Sequence, residues 1–112
     1  MISVGTDIQE VNDFKEKSYD ANKNFYKKIF SKREIEYCLK KEDPYQSFTC
    51  RFCAKEAVVK AIGTVKVKSL ADIEIVMKEH EPKLFINEKE LKNASVSMSH
   101  TKSMAIATVI LY

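Results

Sequence analysis

With 112 residues, a net charge of +3, 45% hydrophobic and 31% charged residues, the chain fits one domain and has a globular rather than a disordered balance. No apolar run approaches the roughly 20 residues that span a bilayer, and the start, Met1-Ile2-Ser3-Val4-Gly5-Thr6-Asp7, lacks the basic-then-apolar pattern of a secretory leader. A cytoplasmic protein without a membrane partner is therefore expected, and three cysteines, an odd number, argue against a disulfide framework.

In chain order, β-branched alternation over residues 2–8 predicts a first strand. Polar, lysine-rich helices are predicted around residues 10–17, 22–30 and 32–41. In the third, Ser31 and Glu34 have capping-box spacing, and Ile35, Cys38 and Leu39 form the apolar face. Between Lys15 and Arg33 stand seven basic residues against Glu16 and Asp20. That stretch reads either as a solvated helical face or as a docking surface for an acidic partner, protein or nucleic acid.

Asp43-Pro44 then opens a helix over about Tyr45 to Ile62, and Gly63 closes it. Phe48, Phe52, Val59 and Ile62 recur at helical steps, and Cys53, Ala54, Ala57, Val58 and Ala61 fill the adjacent face. So wide an apolar arc places this helix at the centre of the fold. Cys50 and Cys53 make a C-x-x-C inside it; no second pair follows, and both read as packing residues. After Gly63 the period becomes that of strands, at residues 72–77 and 82–86. Residues 87–93 are a short helix or a polar loop, and 94–100 with 104–111 form an antiparallel hairpin. The class is α+β.

Three places carry candidate chemistry. Asp7 ends the first strand, where it faces a cleft or caps the helix expected near Glu10. Glu56 and Lys60 lie four apart on the central helix, as an ordinary surface ion pair or as a partnered polar site. Asp7 and Glu56 together would make a sensible magnesium site of hard oxygen ligands, with Lys60 as a point charge for phosphate. His100, with Ser99, Thr101 and Lys102, is either a surface turn or an anion site.

The stretches Gly5-Thr6-Asp7-Ile8-Gln9-Glu10-Val11, Arg51-Phe52-Cys53-Ala54-Lys55-Glu56-Ala57 with Lys60-Ala61-Ile62-Gly63-Thr64, and Val96-Ser97-Met98-Ser99-His100-Thr101-Lys102 resemble the holo-acyl-carrier-protein synthases. These are small trimeric 4'-phosphopantetheinyl transferases, and the likeness in order and spacing covers essentially the whole chain. The resemblance implies the 4'-phosphopantetheinyl transferase fold, a central helix packed on antiparallel strands. It implies an enzyme of lipid metabolism that moves phosphopantetheine from coenzyme A to an acyl carrier protein serine, releasing 3',5'-ADP. It also implies Mg2+ (or Mn2+) on Asp7 and Glu56, with Glu56 and Lys60 catalytic and the general base either Glu56 or water. Coenzyme A would be bound by Arg51, Lys60, Thr64 and His100, in a homotrimer whose His100 reaches a neighbouring subunit's site. From the charge pattern, docking of an acidic carrier protein is expected to fall to Lys15, Lys17, Lys23, Lys27 and Lys28.

Two departures stand against the pattern. Asp13 occupies a place where the family usually has an arginine that docks the carrier. Gly63-Thr64-Val65 stands for the family's Gly-Thr-Gly, with a loop about two residues shorter. Two other classes remain: a homologue without catalysis that acts as an interaction protein, and a basic nucleic-acid-binding module. Against the second, Tyr19, Phe25, Tyr26 and Phe30 follow a helical rather than a strand pattern.

Overall fold

A computed structural model describes residues 1–63 and 67–112. In chain order the elements are β1 (Ser3–Glu10), α1 (Asn12–Lys15), α2 (Lys23–Ile29), α3 (Lys32–Leu39) and α4 (Pro44–Ile62). A 3-10 turn (Leu70–Asp72) follows, then β2 (Ile73–Lys78), β3 (Glu81–Ile86), β4 (Lys89–Glu90), β5 (Ala94–His100) and β6 (Met104–Leu111).

Helix α4 starts and stops where its sequence says it should. Asp43 Oδ1 accepts from the backbone N–H of Tyr45 and Gln46 at 3.1 and 3.3 Å, and Pro44 fills the first turn, where no amide donor is needed. Gly63 ends the helix at φ 91°, in the left-handed region that glycine enters without strain. Its apolar arc is buried on several sides. Cys53, Ala54, Ala57 and Val58 join Ile73, Ile75, Leu84, Ala105, Ala107 and Val109 in one core. On the other side Phe48 packs with Phe14, Tyr26, Ile29, Phe30, Ile35 and Cys38, gathering α1, α2 and α3.

Two three-stranded antiparallel sheets, ordered β1-β6-β5 and β2-β3-β4, flank this helix. Strand β1 lies so close to α4 that a Cβ at Gly5 would come 2.8 Å from the Ala57 carbonyl carbon and 3.0 Å from Ala61 N. A glycine on the strand, facing alanines on the helix, lets the two backbones meet. That contact brings the next inward-facing residue, Asp7, onto the helix.

Several boundaries differ from expectation. Strand β1 does not end at Ile8: β6 pairs with it as far as Glu10, opposite Met104, so Asp7 lies in mid-strand and caps no helix. The helix expected over 10–17 shrinks to the four residues of α1. Leu39, assigned to the apolar face of α3, is 43% exposed because the helix ends on it, whereas Ile35 and Cys38 are buried. Residues 87–93 form neither a helix nor a plain loop. Asn87 and Glu88 turn the chain at positive φ into the two-residue strand β4.

Polar side chains lock the elements together. Ser31 and Glu34 form the expected capping box, but Glu34 does more than cap. Its carboxylate also accepts from Ile75 N at 2.9 Å and pairs with Lys55 Nζ at 2.6 Å, both side chains being essentially fully buried. Lys55 Nζ further donates to the carbonyls of Leu70, at 3.0 Å, and Ile73. Nearby, Glu74 accepts from Arg33 Nε and Nη2 and from Ser31 Oγ, tying α3 to β2. No helix among the described residues is long and apolar enough to cross a membrane.

Candidate active site

Strand β1 and helix α4 bring Asp7, Glu56 and Lys60 together. Asp7 faces the helix with its side chain 11% exposed, and Lys60 Nζ lies 3.2 Å from Asp7 Oδ1 and 3.0 Å from the Thr6 carbonyl oxygen. The ammonium is thus paired across two elements with Asp7, in place of the i,i+4 pair with Glu56 that spacing on one helix suggests. Gln9 Nε2 donates to Asp7 Oδ2 at 2.8 Å, so each carboxylate oxygen has its own donor. Glu56 is half-buried beside them. Burial, and then the Asp7 carboxylate, raise its pKa above the ordinary value, and Lys60 opposes the shift.

This constellation is short of positive charge. Two carboxylates share a partly desolvated place with one ammonium, the donor set that a small hard cation would complete. Among the described residues no third His, Cys, Asp or Glu joins them. Two protein ligands, with the remaining positions left for water and phosphate oxygens, is the usual pattern for magnesium, so the residues present fit that ion.

Arg51 and His100 lie elsewhere. They line a cleft of about 400 Å³ together with Tyr37, Gln46, Ser47 and Met98. Arg51 is 3% exposed; its guanidinium stacks 4.1 Å over the Tyr37 ring, Nη1 donates to Ser47 Oγ at 3.1 Å, and Nε has no partner. His100 is exposed at the end of β5, with Nδ1 3.2 Å from the Thr101 carbonyl oxygen. Arg51 and Glu56 are five residues apart on α4, hence about 140° apart around its axis. Within one chain the candidate nucleotide residues and the carboxylates therefore face different ways. Thr64 lies outside the described residues.

Lys15, Lys17, Lys23, Lys27 and Lys28 are all exposed on or beside α1 and α2. Lys15 Nζ is 3.6 Å from Asp43 Oδ2, and Lys17 Nζ lies 4.3 Å from the Phe25 ring centroid. Below them is a hollow of about 490 Å³ lined by Gln9, Asp13, Phe14, Lys17, Phe25 and Phe52. It adjoins the carboxylates, since Gln9 touches Asp7 and Phe52 is one turn before Glu56. The cysteines are packing residues. Cys38, Cys50 and Cys53 are buried and free, and burial pushes the Cys53 thiol up to about 12.

Residues 3–109 match the family model described as the 4'-phosphopantetheinyl transferase superfamily. The chain belongs to that superfamily. Among phosphopantetheinyl transferase relatives, the holo-[acyl-carrier-protein] synthase of Chlamydia caviae is 39% identical, the match covering 96% of this chain and 93% of that one. The enzyme of the same name from Chloroherpeton thalassium is 38% identical over 98% of this chain and 97% of its own. Of solved structures, the synthase from Bacillus anthracis in complex with CoA (3',5'-ADP) superposes with a TM-score of 0.81 at 29% identity, covering 97% and 94% of the two chains. That from Neisseria meningitidis gives 0.82 at 25% identity, covering 100% and 99%. The transferase fold expected from the motifs is thus the fold observed.

Two site features stand outside the candidate residues taken from the sequence. Gln9 follows Asp7 by two residues and so shares its strand face, a spacing that could have flagged it. The stacking of Tyr37 on Arg51 joins α3 to α4 and leaves no such trace.

Proposed function

We propose that this chain is a holo-acyl-carrier-protein synthase, which transfers the 4'-phosphopantetheine group of coenzyme A to a serine of an apo-acyl carrier protein. The observation that carries the reading is the Asp7–Lys60–Glu56 constellation, built by β1 and α4 at motif positions of a transferase fold. Asp7 and Glu56 would hold Mg2+, which when bound would neutralise charge developing on the pyrophosphate oxygens. Lys60, with its side chain 55% exposed, can reach a phosphate oxygen as a point charge. The carrier serine Oγ attacks the β-phosphorus, the bond to 3',5'-ADP breaks, and the serine proton passes to Glu56 or to water. Incubation with coenzyme A, Mg2+ and an apo-carrier protein should raise the carrier's mass by one phosphopantetheine group. An unmodified carrier would sink the enzymatic reading in favour of a homologue that only binds.

The complete site is proposed to lie between subunits. Arg51, which shares a cleft with His100, points about 140° around α4 from Glu56, and a second copy would bring both groups to one coenzyme A. The outer face of the β1-β6-β5 sheet supplies a surface for it. Val4 and Ile8 on β1 stand opposite Ile110 and Ile106 on β6, all exposed, with the serines of β5 alongside. The exposed apolar side chains of this face thus lie on β1 and β6, with only serines facing the same way from β5. Light scattering at micromolar concentration should give the mass of three chains. A monomer would contradict the assembly.

The lysines around α1 and α2 are the proposed docking surface for an acidic carrier protein in the cytoplasm. The same rings that a nucleic-acid module would need for stacking, Tyr26 and Phe30, are buried in the core. Asp13 sits exposed on the rim of the apolar hollow and opposes an acidic partner. Asp13→Arg should therefore lower KM for an acidic carrier, through the association rate, with the gain fading as salt rises. An unchanged KM at low salt would remove Asp13 from the docking surface.

A further inference from the structure

We infer that Lys60 is an internal stand-in for the metal: its ammonium holds Asp7 while the site lacks a cation, and moves to the substrate's phosphate when the cation arrives. The inference rests on the proposed metal-dependent transfer and adds an exchange step to it.

Four observations point the same way. The ammonium contacts Asp7 Oδ1, at 3.2 Å, and gains a second anchor on the Thr6 carbonyl oxygen at 3.0 Å. Among the described residues it leaves Glu56 without an equivalent partner, although Glu56 is four residues away on the same helix. Gln9 holds the other Asp7 oxygen at 2.8 Å, so the carboxylate keeps its position when Lys60 leaves. Finally, the two ends of the pair differ in exposure. The Asp7 side chain is 11% exposed on a strand paired along its whole length, whereas that of Lys60 is 55% exposed on a flexible stem.

The electrostatics favour exchange over coexistence. An ammonium resting on Oδ1 occupies one ligand atom and repels a dication placed beside it. A pair so open to water is held weakly, so a phosphate that offers more negative charge can take the ammonium away. Lys60 thus opposes metal entry in the free protein and supports it once coenzyme A is present. Metal and coenzyme A should then bind more tightly together than separately.

The test is Mn2+ binding, followed by the loss of the free-ion electron paramagnetic resonance signal, in the parent, Lys60→Met and Asp7→Asn chains. Without coenzyme A, Lys60→Met should bind Mn2+ about three- to tenfold more tightly than the parent at low ionic strength. With saturating coenzyme A the sign should reverse, Lys60→Met binding no more tightly or more weakly. Lys60→Arg, which keeps the charge, should stay near the parent. If Lys60→Met does not tighten Mn2+ binding without coenzyme A, or tightens it equally with coenzyme A, the exchange is overturned. Mn2+ binding that Asp7→Asn leaves intact would instead overturn the metal assignment beneath it, so the two failures are distinguishable.

Discussion

Asp7→Asn and Glu56→Gln should each lower the rate of phosphopantetheine transfer by about a hundredfold or more, with little change in thermal stability. Each replacement keeps the shape of the side chain and removes one negative charge from the place where a cation would sit. Neither residue belongs to the apolar cores, and Asp7→Asn still offers Gln9 an oxygen acceptor. The loss should therefore appear in kcat at saturating carrier and coenzyme A, while circular dichroism and the melting midpoint stay near those of the parent. Excess Mg2+ should recover part of the activity if the variants bind the ion weakly but position it correctly. Transfer within about threefold of the parent in either variant would remove that residue from the metal site.

How much of this was legible in the chain depends on the range of the interaction that decides each feature. The capping box of Ser31 and Glu34, the start of α4 at Asp43-Pro44 and its end at Gly63 are written within four residues, and each falls where expected. The length of β1 is not local. It is set by β6, nearly a hundred residues on, whose pairing to Met104 carries the strand through Glu10 and leaves α1 a single turn. The placement of Asp7 in mid-strand follows from that pairing. Lys60 shows the same limit at the site: spacing along one helix offers Glu56 as its partner, yet the close packing of Gly5 on Ala57 delivers Asp7 from another element. The outward face of the first sheet is also non-local. β6 alone is apolar on both faces apart from Thr108, and only the register puts Val4 and Ile8 next to Ile110 and Ile106 as one outward stripe.

Lys55 carries the second large effect, on stability. In the sequence it stands within five residues of Glu56 and Lys60, yet the structure gives it a different task. Its side chain is fully buried, and burial pulls its pKa down while Glu34 opposes the shift. Glu34 meets it with a carboxylate that also accepts from Ser31 N and Ile75 N, so α3, α4 and β2 converge on two charges. Replacing such a pair by apolar groups can be neutral, but removing one partner leaves a charge in a medium that cannot solvate it. Lys55→Met, close in volume, should cost about 3–5 kcal/mol. For a domain of this size that is a fall in melting temperature on the order of ten to twenty degrees. Lys55→Met combined with Glu34→Gln should cost less than the sum of the two single changes, because no buried charge is then left alone. The coupling expected from a double-mutant cycle is about 1–3 kcal/mol. Strict additivity, or a Lys55→Met midpoint within a couple of degrees of the parent, would mean that water reaches the pair and that it does not join the three elements.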